Sequence, residues 1–152
     1  MNFYTKLLTL FVVAAFALGA CKSTPKFSDV MGKEWRLVEV KTEPKNIQFD
    51  RNNLKSEGFE NIFTLNFAAE RLNGAAAPNL YFAPYALEKK QVIKVQPLGG
   101  TLMAPIHEPE KLKERDFFGY MQNAYKWNLA NGKLELYTKG ENETETVLIF
   151  SL

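Results

Sequence analysis

Three runs at the end of the chain, 124–129, 133–138 and 146–152, alternate apolar and polar residues with a period of two. That period fits a β-strand buried on one face and does not fit a helix. Between the first two runs stands Asn131-Gly132. This pair suits a two-residue type I′ hairpin, in which both central residues take positive φ. Gly140 with Glu141, Glu143 and Glu145 makes a charged second turn. The chain is therefore expected to end in a three-stranded antiparallel meander, and the rest of the fold has to build on that sheet.

Upstream, EWRLVEV at 34–40 places Trp35, Leu37 and a third apolar position on one face, which reads as a half-buried strand. IFTLNF at 62–67 puts Phe63, Leu65 and Phe67 on one face in the same way. Residues 41–58 are polar and irregular, with Ile47 and Phe49 as the only strand material. Residues 71–79 (RLNGAAAPN) are small, and a tight turn through Gly74 is expected there. An aromatic run broken by Pro84 spans 80–87, and a short strand spans 91–95. The one helix is expected over 108–123. Pro109 would sit at its first position, Glu108 and Glu110 at its positive end, and Phe117, Met121 and Ala124 on its apolar stripe. The expected class is α+β: a mostly antiparallel sheet or incomplete barrel with one helix packed against it.

The N-terminus carries a different signal. Residues 7–20 (LLTLFVVAAFALGA) are uncharged and follow a short polar start with Lys6. A bilayer core takes about 20 apolar residues, so the run has the length of a signal-peptide core rather than a membrane span. It ends Leu18-Gly19-Ala20-Cys21, which resembles a lipobox, with Cys21 as the lipid attachment site. Residues 1–20 thus read as a cleavable signal peptide, 21–30 as a lipidated tether and 31–152 as one domain. The expected membrane contact is through this lipid anchor, in the cell envelope. Lys22 after the anchor favours the outer membrane.

Composition narrows the function. The single cysteine excludes an internal disulfide. A formal net charge of +2, with no clustered basic face, argues against nucleic acid. Twelve Phe, six Tyr and two Trp supply a packed core. The single histidine, His107, has no second His or Cys with which to build a metal site, so no metal or cofactor is expected. Glu108, Glu110, Glu114 and Asp116 read as a solvated helical face shared with Lys111, Lys113 and Arg115. Leu98-Gly99-Gly100-Thr101 lacks the lysine and spacing of a phosphate loop. No catalytic constellation is present, and the chain reads as a non-enzyme; a hydrolase would have to depend on His107.

The order of motifs resembles the META domain family, that of the HslJ-like heat-shock lipoproteins. Trp35 and Leu37 match its opening strand, and Arg71, Gly74 and Asn79 match its Arg-x-x-Gly segment. Thr101, Met103 and Ala104 match the segment before its helix. Leu134 with Leu136, and Leu148 with Phe150, match its closing strands. Two positions where many members carry cysteine are Pro78 and Pro105 here. The resemblance implies a small antiparallel sheet with a helix on its open side, similar in outline to the pilotin lipoproteins of secretion systems. It implies links to envelope stress and no catalytic activity.

Two surfaces are candidates. The aromatic segment with Tyr81, Phe82 and Tyr85 alternates, so only part of it can face the core, and the rest could anchor an envelope protein partner. Met103, Phe118 and Met121 could instead line a pocket between helix and sheet for a small apolar ligand or acyl chain. Partner binding is the favoured expectation and ligand carriage the alternative.

Overall fold

The computed structural model describes residues 24–140 and 143–152; the signal-peptide run and Cys21 lie outside the described residues. Among these residues the strands are β1 (Trp35–Lys41), β2 (Ile47–Gln48), β3 (Thr64–Phe67), β4 (Arg71–Ala75), β5 (Leu80–Glu88), β6 (Val92–Val95), β7 (Gly99–Gly100), β8 (Lys126–Ala130), β9 (Lys133–Lys139) and β10 (Glu145–Ser151). Two helices accompany them, α1 (Arg51–Ser56) and α2 (Glu114–Gln122). The architecture is α+β, as expected.

The closing meander forms as the alternation dictates. Ala130 pairs with Lys133 across Asn131 (φ 52°) and Gly132 (φ 73°), the two positive φ values of a type I′ turn. β10 then pairs antiparallel with both β9 and β1, which starts the ring. The ring runs β1, β10, β9, β8, β6, β5, β4, β3 and back to β1. Its weak junction is β6 to β8, where Val92 opposite Lys126 is the single register pair.

Helix α2 bridges the end of β6 and strand β9. Its Gln122 side chain accepts from Leu98 N–H at 2.8 Å and donates to Gln96 C=O at 3.2 Å, which satisfies backbone groups the ring leaves open. Thr138 in β9 donates to Tyr120 C=O at 2.7 Å from the other side. Phe117 and Met121 are fully buried, and Ala124 nearly so, as the apolar stripe predicts. The helix is shorter than expected, however. Residues 108–113 stay irregular, and Glu114 turns inward to serve another segment, described below.

Strand β1 also departs from simple alternation. Its register with β10 shifts between Leu37 and Glu39, a bulge that places one extra residue in β1. Trp35, Leu37 and Val40 thereby all face the core. The stretch 71–79 is not a turn throughout: 71–75 is strand β4, and only 76–79 reverses the chain. Small residues are needed at Gly74 because a Cβ there would lie 2.0 Å from Thr64 C=O.

Packing against the sheet is already present at Phe27. Phe27 sits in a 3-10 turn, with its ring 5.0 Å from Phe67 and 4.9 Å from Trp127. Val30 is fully buried and its carbonyl accepts from the Trp35 indole at 2.9 Å. Among the described residues no helix is long and apolar enough to cross a membrane.

Candidate functional site

The phase of β5 decides which of its aromatic residues is available. Tyr81 lies opposite Gly74 and points inward, where its hydroxyl donates to Thr64 C=O at 2.7 Å. It is 2% exposed, and burial pushes its phenol well above the ordinary range. Tyr81 is thus core and not an interface anchor, a correction to the expectation. Tyr85 is half-buried, its ring among Phe27 and Phe67 and its hydroxyl on Ala68 C=O at 2.7 Å. Phe82 alone of the three faces outward, at 47% exposure.

Phe82 is held from both sides. Across one neighbouring strand it pairs with Gly99, over whose Cα its ring lies; a Cβ there would come within 2.9 Å of the ring. On the other side the Arg71 guanidinium sits 6.0 Å from the ring centroid, in cation–π range. Arg71 and Phe82, together with Glu34, Asn61, Asn73 and Leu80, border an open concavity of about 440 Å³ on the outer face of β4 and β5. Glu34 is already engaged by Arg36 at 2.9 Å. Arg71 makes no ion pair among the described residues.

Just before the start of β5, Asn79 organises a buried polar knot. Its side-chain oxygen accepts from Thr101 Oγ and Met103 N–H, both at 2.7 Å. Its amide donates to Met103 C=O at 3.0 Å and to Glu114 Oε2 at 2.7 Å. Glu114 Oε1 accepts in turn from Ala77 N–H at 3.0 Å and Asn79 N–H at 2.7 Å. Pro78 lies inside the 76–79 reversal that this carboxylate holds. The sequence pattern placed Glu114 on a solvated face, and nothing in its spacing marked it as buried.

Fixing the loop at Thr101 and Met103 leaves the residues after it outside the core. Leu102 and Ile106 are essentially fully exposed, and Met103 is 51% exposed. The expected pocket of Met103, Phe118 and Met121 does not assemble. Met103 lies on this outer loop, Phe118 packs edge-on to Tyr81 at 5.7 Å, and Met121 is filled into the core. None of the three borders any of four surface concavities on the described residues.

His107 is exposed and stacks on Phe59 at 5.3 Å with an interplanar angle of 17°. Glu108 beside it reaches Lys113 at 3.7 Å. Among the described residues no group of three or more His, Cys, Asp or Glu side chains is placed to hold a metal ion.

Comparison with known proteins supports the fold. The chain resembles a protein from Burkholderia xenovorans solved by NMR, with a TM-score of 0.58, 14% identity and 99% of each chain covered. It also resembles a crystal structure of a DUF4847 family protein from Bacteroides vulgatus ATCC 8482, with a TM-score of 0.55 and 14% identity over 82% of this chain and 95% of that one. At such identities the likeness is one of fold alone. No curated protein matches the chain in sequence. The META domain family model matches residues 28–150, nearly all of the described domain, and the chain belongs to the META domain family.

Proposed function

We propose that this chain is a non-catalytic lipoprotein of the cell envelope, anchored through Cys21, whose META domain docks a protein partner. The observation that carries the reading is the placement of its exposed apolar residues relative to the point where the chain enters the fold. Phe27 seats on Phe67, Tyr85 and Trp127, at the Tyr85 side of β5. Leu80 and, on the loop tied to it through Thr101, Leu102 and Met103 stand exposed past the other end of that strand, with Ile106 exposed further along the same loop. Leu80 and Tyr85 are five residues apart, or about 17 Å of strand.

From Cys21 to Phe27 the chain can reach about 20 Å at most. The entry end is the one nearer along the chain to a lipid at Cys21, and in this reading the apolar loop, a strand's length further on, faces other envelope proteins. Exposed aliphatic side chains grouped in this way are typical of docking surfaces. The outer membrane is the favoured location, on the strength of Lys22.

The anchor is tested by labelling cells with radioactive palmitate: the label should enter the native chain and be absent from Cys21→Ser. Docking is tested by photo-crosslinking from positions 102 and 106 of the full chain in its own envelope. A single adduct of one mass should recur at both positions and be absent at Lys94, on the β6 surface. Adducts equally frequent at all three would defeat the reading.

A further inference from the structure

We propose that the concavity between Arg71 and Phe82 receives an acidic side chain of the docking partner, flanked there by apolar residues. This rests on the docking reading and specifies what the partner has to present. The chemistry is written in the uncompensated groups around the rim. Arg71 has no carboxylate partner among the described residues, although Glu34 borders the same concavity, because Glu34 is held by both Arg36 Nε and Nη2 at 3.0 and 2.9 Å. The side-chain amides of Asn73 and Asn61, also on the rim, make no hydrogen bond among the described residues.

Phe82 offers its ring to the Arg71 guanidinium at 6.0 Å. A guanidinium set over an aromatic face keeps its N–H edge free, and that edge matches a carboxylate with two parallel hydrogen bonds. Leu80 and Phe82, both exposed, supply the apolar wall next to this edge. Gly74 and Ala75 also border the depression and bring no large side chain to it.

A peptide suits this site better than a free fatty acid. The concavity is shallow and open, with no closed channel to take an acyl chain. It is also continuous through Leu80 with the apolar loop that begins at Thr101, because Leu80 N–H is bonded to Thr101 Oγ at 3.1 Å. One partner segment can therefore lie on both.

The test uses the full chain in nanodiscs, with acetyl-Leu-Asp-Phe-amide as the probe and the matching Asn peptide and laurate as comparisons. Binding is followed through the NMR signals of the Arg71 Nε–H and the Asn73 side-chain amide. The Asp peptide should bind about tenfold tighter than the Asn peptide, about 1.4 kcal/mol. Arg71→Gln should erase that preference while leaving the amide spectrum of the core unchanged. Equal binding of the two peptides, a preference that survives Arg71→Gln, or laurate displacing the Asp peptide at lower concentration would each overturn the proposal. Cross-links from positions 102 and 106 that persist in Arg71→Gln alongside any of these results would leave the docking reading standing and remove only the acidic-residue inference.

Discussion

The Glu114 carboxylate grips Asn79 twice, through its backbone N–H and through its side-chain amide, each at 2.7 Å. Both residues are buried. The amide cannot turn over to suit a different partner, because Asn79 Oδ1 is committed to Thr101 Oγ and Met103 N–H. Replacing Glu114 with Gln therefore sets one NH2 group against another at Oε2. Losing a charge-assisted bond and leaving a buried donor unpaired costs about 2 kcal/mol. Glu114→Ala, which strips all three donors of their acceptor, should cost about 3 kcal/mol or more. Urea denaturation of both variants measures this, and an unchanged midpoint in Glu114→Gln would contradict it.

Gly74 makes a sharper prediction. It lies within β4, and its neighbour on the adjacent strand β3 is the Thr64 backbone, 2.0 Å from where a Cβ would stand. Backbone in the middle of a sheet cannot yield as a flexible side chain does. Gly74→Ala should push β3 and β4 apart and cost about 3 kcal/mol, the upper part of the overpacking range. Gly119→Ala is the control, because nothing lies within 4 Å of a Cβ there and helix propensity favours alanine. Thermal denaturation should move the two variants in opposite directions.

These residues mark where the sequence was legible and where it was not. The β8–β10 meander could be read because each strand has one wet face, and alternation records that directly. Asn131-Gly132 fixed its first turn. In β1 the alternation breaks at Val38, where a bulge restores the inward direction of Val40, and a bulge leaves no periodic signature. The segment 71–75 looked like a turn because its residues are small; the cause is close backbone approach, which only the partner strand reveals. Helix α1 escaped notice because it is one short piece with a single buried residue, Leu54, started by the Asp50 cap. At the candidate site the aromatic segment was visible, but its phase was not. Alternation allows either Tyr81 or Phe82 to face inward, and the empty space over Gly74 selects Tyr81. Arg71 and Glu114 were invisible as site and core residues because a charge has no periodicity of its own.

Tyr125 provides a pH-dependent test. Its hydroxyl donates to Glu145, and this bond, with smaller help from burial and the nearby charge, pushes its phenol up to about 12 from an ordinary 10. A raised folded-state value means the folded protein holds the proton more tightly than the unfolded chain does. The stabilisation is fully present below pH 10 and disappears as pH rises from 10 through about 12. Carbon-detected NMR of ring-labelled tyrosine should show Tyr125 ionising near the upper end of that window. Glu145→Gln should bring it back towards 10; a value that stays high would assign the shift to burial instead.

Phe27 tests where the tether ends. If the chain were free up to Val30, removing this ring would leave stability unchanged. The geometry argues otherwise: the ring meets Phe67 at 5.0 Å, Trp127 at 4.9 Å and Tyr85 at 5.7 Å, the first two edge-on. Edge-to-face pairs contribute about 0.5–1.5 kcal/mol each beyond area burial, and Phe27 is only partly buried, so Phe27→Ala should cost about 2 kcal/mol. The loss should appear in urea denaturation as a lower midpoint. The same substitution also frees the entry end of the domain from its fixed seat. If the lipid at Cys21 orients the apolar loop through that seat, photo-crosslinking from position 106 should fall in Phe27→Ala under conditions where the domain is still folded. Crosslinking that stays at the native level would mean that the loop finds its partner without help from the anchor's position.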